Sequence, residues 1–216
     1  MPAVDLGAIP RDINMMVARI GAVESYAKLE QALCRLFASL IGAPIDKAAI
    51  VFYRLTNTHS RNAIFEALLA KAHGDRYDTY WYGTQKNGLI TLVRQLDGRR
   101  NEIVHWHGMT NIEFSGETYT ASERLVPPNV WAGSAAAIST EDLNEFIRKA
   151  DFTSRSISMF DWITTQSGTL IGQGFDTTRD TWLRIFEQPV SYPPESTHPL
   201  SPNRKAHETP PQPSGA

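Results

Sequence analysis

NMMVARIGAVESYAKLEQALCRLFASLI, residues 14–41, decides the class of fold. Met16, Ile20, Val23, Ala27, Cys34, Phe37 and Ile41 recur at steps of three, four and seven. A second apolar row, Tyr26, Leu29, Leu33, Leu36 and Leu40, runs beside the first, and Glu24, Lys28, Gln31, Arg35 and Ser39 form the wet side. This is the period of a helix, and two adjoining rows predict one with neighbours on two sides. Gly42 and Pro44 stop it. The chain therefore reads as mainly α.

The rest of the chain extends that reading. AAIVFYRL at 48–55 fits a short strand or a helix. THSRNAIFEALLAKAHG predicts a capped helix, with Ser60 as N-cap, Ile64, Leu68 and Leu69 on the apolar side and Gly74 as the stop. The polar-aromatic piece DRYDTYWYGTQKNG leads into a third helix through LITLVRQLDGRRNEIVHWH, with Leu89, Leu92, Leu96, Ile103 and Trp106 on one side and Arg99 in the same row. Tyr77, Tyr80, Trp81 and Tyr82 could stack nucleic-acid bases, but read better as core or dimer interface. Residues 110–131 are rich in Thr, Tyr and Val around a Ser-Gly turn signal, which predicts a small β-hairpin-like insertion closed by Pro127-Pro128. A helix resumes after Ser139 or Thr140, with Leu143, Phe146, Ile147, Ala150, Ile157, Phe160 and Ile163 along one side. TTRDTWLRIFEQ predicts a last helix that stops at Pro189. The domain organisation expected is an N-terminal extension at 1–13, a helical domain at 14–188 and a Pro-rich disordered tail at 189–216. That tail holds eight of the 13 prolines and almost no apolar residues past Pro194.

Composition narrows the function. A net charge of −2 over 216 residues argues against a broad nucleic-acid footprint and leaves room for a small local basic site. The single cysteine, Cys34, sits in ALCRLFASL and reads as a packed small hydrophobe. No intrachain disulfide can form, which fits a reducing compartment. There is no basic-then-apolar leader and no apolar run long enough to span a bilayer, so the expectation is a cytoplasmic protein without a membrane partner.

RRNEIVHWH, Arg99 to His107, carries the chemistry. A helix turns about 100° per residue, so Asn101 and His105 share a face, while Arg100 and His105 stand about 140° apart. One straight helix does not bring both to a single phosphate. A local kink near Gly98, side-chain reach or a second helix must complete a site. The same residues also fit a packing role: an Asn101–His105 hydrogen bond across one turn, with Arg100 paired to Glu102 or to a carboxylate on another helix. Metal binding fits poorly, because His105 and His107 diverge by about 200° on a helix, and no cofactor is expected. GTLIGQG, from Gly168, lacks the lysine of a phosphate-binding loop and reads as a connector.

Arg100-Asn101-x-x-x-His105 resembles the Arg-Asn-x-x-x-His signature of the HEPN superfamily, the higher eukaryotes and prokaryotes nucleotide-binding domains. The resemblance implies an antiparallel bundle of four to five helices with the motif on a late helix; the insertion at 110–131 departs from its simplest form. It also implies a homodimer with two motifs facing across a cleft, and RNA cleavage without metal by 2′-OH attack, in a toxin–antitoxin or defence setting. His105 would be the general base or acid, Arg100 would bind and stabilise phosphate, and Asn101 would orient His105 or a phosphate oxygen. Arg99 and His107 are accessory candidates with no family motif behind them. The alternative within the same resemblance is a non-catalytic interaction module that binds a nucleotide or a partner protein, such as an antitoxin or a nucleotidyltransferase.

Overall fold

The structure is a computed structural model, and it describes residues 13–83, 88–115, 118–128, 137–166 and 176–203. It is mainly helical. In chain order come α1 (Ile13–Ile41), α2 (Ile45–Arg54), α3 (Thr58–His73), α4 (Asp78–Tyr82), α5 (Leu89–His105), β1 (His107–Ser115), β2 (Thr118–Val126), α6 (Thr140–Asp161) and α7 (Asp176–Phe186). A π-helical turn, Trp162–Gln166, continues α6.

Helix α1 is the spine, but its buried face is not the one that both apolar rows predict. Ala18, Ala22, Leu29, Ala32, Leu33 and Leu36 are buried, whereas Met16, Val17, Ile20 and Val23 are exposed. Small side chains win the inner face of the N-terminal half because α6 lies close there. A Cβ built on Gly21 would come 3.1 Å from Cδ1 of Ile147. Ser154 on α6 donates to the Lys28 carbonyl at 3.3 Å. Gly21 opposite Ile147 and Lys28 opposite Ser154 make α1 and α6 parallel neighbours. Helix α5 runs antiparallel to both, since Arg19 reaches the Ile103 carbonyl and Tyr26 reaches Asp97, while Lys149 meets Gln95. Two reversals of direction restore the first.

Several boundaries move from the sequence expectation for local reasons. The stretch at 48–55 is helical through Arg54: α2 buries Ala48 and Phe52, one turn apart. Helix α3 starts earlier than Ser60, because the Asn57 side chain accepts from the backbone N–H groups of His59 and Ser60. Its inward face is Arg61, Asn62, Phe65 and Leu69, with Ile64 exposed. The aromatic piece is a separate short helix, α4, which ends at Gly83 with φ 70°, a left-handed conformation that favours glycine. Tyr77, Tyr80 and Trp81 are buried, packed with Phe160 and Phe186. Cys34 is buried as well. Ser139 caps α6 in a reciprocal pair, its Oγ accepting from the Asp142 N–H at 3.1 Å and its own N–H donating to Asp142 Oδ2 at 2.8 Å.

The hairpin begins three residues before its expected start. Its strands pair antiparallel from His107↔Val126 to Ser115↔Thr118. Its base is fixed in the core by Leu125 and Ile138, which exchange backbone hydrogen bonds of 2.9 and 2.8 Å and are both buried. Beyond that base, β1 lies exposed or half-buried along its length.

Structure also continues past Pro189, where a disordered tail was expected. Val190 and Ser201 are buried, the Tyr192 ring packs on Phe152, and the His198 ring meets Phe152 and Trp182. Four aromatic rings provide enough apolar surface to hold a proline-rich segment against α6 and α7. The remainder of the expected tail, 204–216, the N-terminal extension up to residue 12 and the GTLIGQG connector lie outside the described residues. Among the described residues, no single helix is long and apolar enough to cross a membrane.

Leu29 is fully buried on the inner face of α1. Leu29→Ala is expected to lower the unfolding free energy by about 2–5 kcal/mol, measured by urea denaturation, because neighbouring helices cannot close on the space left behind.

Candidate functional site

The site grows from the two faces of α5. Leu89, Leu92, Val93, Leu96 and Ile103 turn into the core. Asp97, Arg100 and Asn101, at steps of three and four, share another face that looks toward α1 and α3. The helix ends at His105 because Trp106 adopts extended backbone, φ −80° and ψ 150°. The terminal carbonyls would otherwise lack partners. Arg19 of α1 supplies them: Nε donates to the Ile103 carbonyl, and Nη2 to those of Val104 and Trp106, each at 3.0 Å. The motif is thus held at a helix end that a cation from α1 closes.

Behind Arg100 and Asn101 lies a buried polar network. Tyr26 donates its hydroxyl to Asp97 Oδ1 at 2.5 Å. Arg61, from α3, donates through Nη1 to Glu30 Oε1 at 3.0 Å, and its Nη2 stands 3.6 Å from Asp97 Oδ1. The side chains of Arg61 and Asp97 are only 7% and 9% exposed. Arg61 also lies over the Phe52 ring at 5.1 Å, and Arg100 over the Tyr26 ring at 5.6 Å. Arg61 Nε and Nη2 and Asp97 Oδ2 have no hydrogen-bond partner among the described residues. Burial pushes the Asp97 carboxyl above the usual carboxylate value, against the hydrogen bond from Tyr26 and the nearby Arg61 charge. The Tyr26 hydroxyl is also raised, by burial first and then by Asp97.

The network floors a cavity of about 400 Å³. Its walls come from Tyr26 and Glu30 of α1, Tyr53 of α2, Arg61 of α3, and Asp97, Arg100 and Asn101 of α5, with Asn57 and Thr58 at its α3 side. A larger cavity of about 770 Å³ lies between α5, α6, α7 and the segment after them, lined by Lys149, Arg184, Tyr192 and His198. It contains none of the motif residues, and we place the site at the smaller one.

The five sequence-derived residues divide into three groups. Arg100 and Asn101 share the cavity wall, and Arg100 Nη1 donates to Asn101 Oδ1 at 3.2 Å. His105 is exposed at the end of α5, outside the cavity lining, and its side chain makes no hydrogen bond, ion pair or ring contact among the described residues. Arg99 and His107 go elsewhere. Arg99 turns toward α6 and pairs with Glu102 at 2.7 Å, so the carboxylate that could have matched Arg100 is taken by its neighbour. His107 opens β1 opposite Val126, on a strand rather than on α5. Tyr26, Glu30, Arg61 and Asp97 were not legible as site residues. The one available signal was Arg61, a charged residue at a four-residue step from Phe65 and Leu69 on the inner row of α3.

Comparisons with family models, with curated proteins and with solved structures find no match to this chain.

The raised Asp97 value has a definite consequence for stability. A carboxyl with a folded value above its unfolded one, about 3.9, contributes stability that is full below that pH and is lost as pH rises through the folded value. Replacing it by the isosteric amide removes the titration. The stability of wild type minus that of Asp97→Asn, from urea denaturation across pH, is expected to fall as pH rises from about 4 and then level off. A difference that stays flat would show that burial does not shift this group.

Proposed function

We propose that the chain is a HEPN-like, metal-independent endoribonuclease acting as a homodimer. The observation that carries this reading is the disposition of α5: Ile103 is buried, while Asn101 and His105 are exposed and Arg100 borders an open polar cavity. The packing role would join Asn101 to His105 and Arg100 to a carboxylate. Instead Arg100 bonds Asn101 and stacks on Tyr26, and His105 is left to solvent.

The proposed chemistry uses these groups directly. A 2′-hydroxyl attacks the adjacent phosphorus as its proton passes to a neutral imidazole. The bond to the 5′-oxygen breaks, and a protonated imidazole returns a proton to that oxygen. The product is a 2′,3′-cyclic phosphate and a free 5′-hydroxyl. Histidine suits both transfers near neutral pH. Arg100 stabilises the charge gathering on the phosphoryl oxygens, and a guanidinium keeps its own charge throughout. Asn101, one turn before His105, orients the imidazole or a phosphate oxygen.

One chain offers one His105, set about 140° around α5 from Arg100. A second copy supplies the rest. Ile13, Met16, Val17, Ile20 and Val23 form an exposed apolar stripe on α1, opposite its buried face. Met16 and Val23 are the one-turn neighbours of Arg19, which holds the end of α5. Met109 and Phe114 of the hairpin are exposed too, and an isolated two-stranded hairpin is marginal in water. A two-fold contact along this stripe would cover the apolar surface and bring two α5 ends toward one cleft. The same separation of Arg100 from His105 favours one second reading, a non-catalytic HEPN-like module that binds a nucleotide or a partner protein. Cleavage decides between them.

Purified protein with RNA and EDTA is expected to give 2′,3′-cyclic phosphate ends. His105→Ala should lose about 10²–10⁴-fold in rate, the usual size of an acid–base contribution, and Arg100→Ala should lose a comparable factor. Equal cleavage by all three proteins removes the assignment. Sedimentation should show a dimer for wild type and a monomer for Ile20→Asp, whose cleavage should fall with dimer content.

A further inference from the structure

We propose that the cavity between α1, α3 and α5 is a base pocket for guanine, which reads the nucleotide beside the cleaved phosphate. This rests on the ribonuclease reading and adds specificity to it.

The signs of charge in the cavity limit what it can hold. Glu30 and Asp97 bring carboxylates, and Arg61 and Arg100 bring guanidiniums, all to one space of about 400 Å³. A bare phosphate entering it would meet two carboxylates, and a bare cation would meet two guanidiniums. A neutral ring with donors on one part of its edge and acceptors on another meets neither penalty. Nucleobases are such rings, and the volume falls in the range of small-molecule pockets.

Among the four bases, guanine matches the groups that are free to bind. Arg61, buried and fixed over Phe52, holds Glu30 by its Oε1 oxygen. Glu30 Oε2 makes no hydrogen bond among the described residues, and the side chain is 27% exposed. A carboxylate presented this way accepts from adjacent N–H groups, and only guanine places two, N1–H and N2–H, side by side. Its O6 and N7 then need donors. The Tyr53 hydroxyl and the amide groups of Asn57 and Asn101 stand on the same walls. The Asn57 oxygen is already engaged as the α3 cap, so its amide nitrogen remains to donate. Position supports the match as well. Arg100 lines the same cavity as Glu30, so a nucleotide whose base sits against Glu30 has a guanidinium on the cavity wall for its phosphate.

The buried network has a role on this reading. Arg61 carries two nitrogens, Nε and Nη2, without hydrogen-bond partners among the described residues, a cost to folding. What it gains is a carboxylate held rigid at the pocket wall, which a solvated Glu30 would not be.

The test is binding, which requires no cleavage. GMP, AMP, CMP and UMP are titrated calorimetrically into wild-type protein, Glu30→Gln and His105→Ala. GMP is expected to bind wild type at least about tenfold more tightly than the others, the discrimination of one good paired contact to a base edge. His105→Ala, altered outside the cavity, should keep that preference, and Glu30→Gln should lose it. Hydrogen exchange on wild type needs no variant and should show GMP slowing exchange in 53–61 and 97–101. Equal binding of the four nucleotides, no binding, a preference retained in Glu30→Gln, or protection confined to other segments would each overturn the pocket. A protein that binds GMP in this way but cuts no RNA would leave the pocket standing and remove only the nuclease.

Discussion

Arg19 joins the spine of the fold to its candidate site. Its guanidinium takes three carbonyls at the end of α5, and those carbonyls belong to the residues around His105. The contact does three things together. It satisfies a helix terminus that would otherwise face the protein without partners. It sets the register of α1 against α5, so that Tyr26, two turns on, meets Asp97. It also stops the helix at His105, so the chain leaves as a strand and the hairpin rises from the motif itself. A cation can do this where a neutral side chain could not, because it adds charge to geometry at the negative end of the helix.

The second constraint is the buried charge cluster one step along α5. Removing Arg61, Glu30 and Asp97 from water costs free energy that hydrophobic residues of the same size would not. The cluster ties α1, α3 and α5 at one point, but tighter apolar packing could do the same. What apolar packing could not provide is a polar wall facing a cavity. The near-complete burial of Arg61 beside an open space separates this cluster from the exposed ion pairs Arg148–Glu141 and Arg76–Glu187, which contribute little.

Much of the fold was legible because periodicity is local. The long α1, the hairpin and the cap of α6 all follow from spacing and from residues within four positions. The inner face of α1 was not, because two apolar rows compete and only the approach of α6 at Gly21 selects the row of small residues. Arg100 and Asn101 were legible as neighbours, being consecutive on one helix. Tyr26, Glu30 and Arg61 were not, since the hydrogen bonds that join them to each other and to α5 span 31 to 71 positions of the chain. Short-range pattern says nothing about which polar residues tertiary packing will bury. The ordered run after Pro189 was misleading for a related reason. Proline content signals poor regular structure, yet Tyr192 and His198 need only ring contacts to stay in place.

The low net charge and the shape of the site belong to one economy. A protein that grips RNA along its backbone needs many cations, and its affinity falls steeply with salt. A chain with a net charge of −2 has no such excess to spend. If it recognises RNA, recognition has to come from a few contacts made well, and a cavity holding both signs of charge makes that kind of contact. Arg100 stands where the two needs meet, one side over Tyr26 at the cavity and the other toward solvent. A base held beside it would present its phosphate at a fixed place. Catalysis would then depend on bringing an imidazole to that place, and the 140° between Arg100 and His105 leaves that task to a second α5. On this view dimerisation and base recognition are complementary: one aligns the acid–base groups and the other aligns the phosphate.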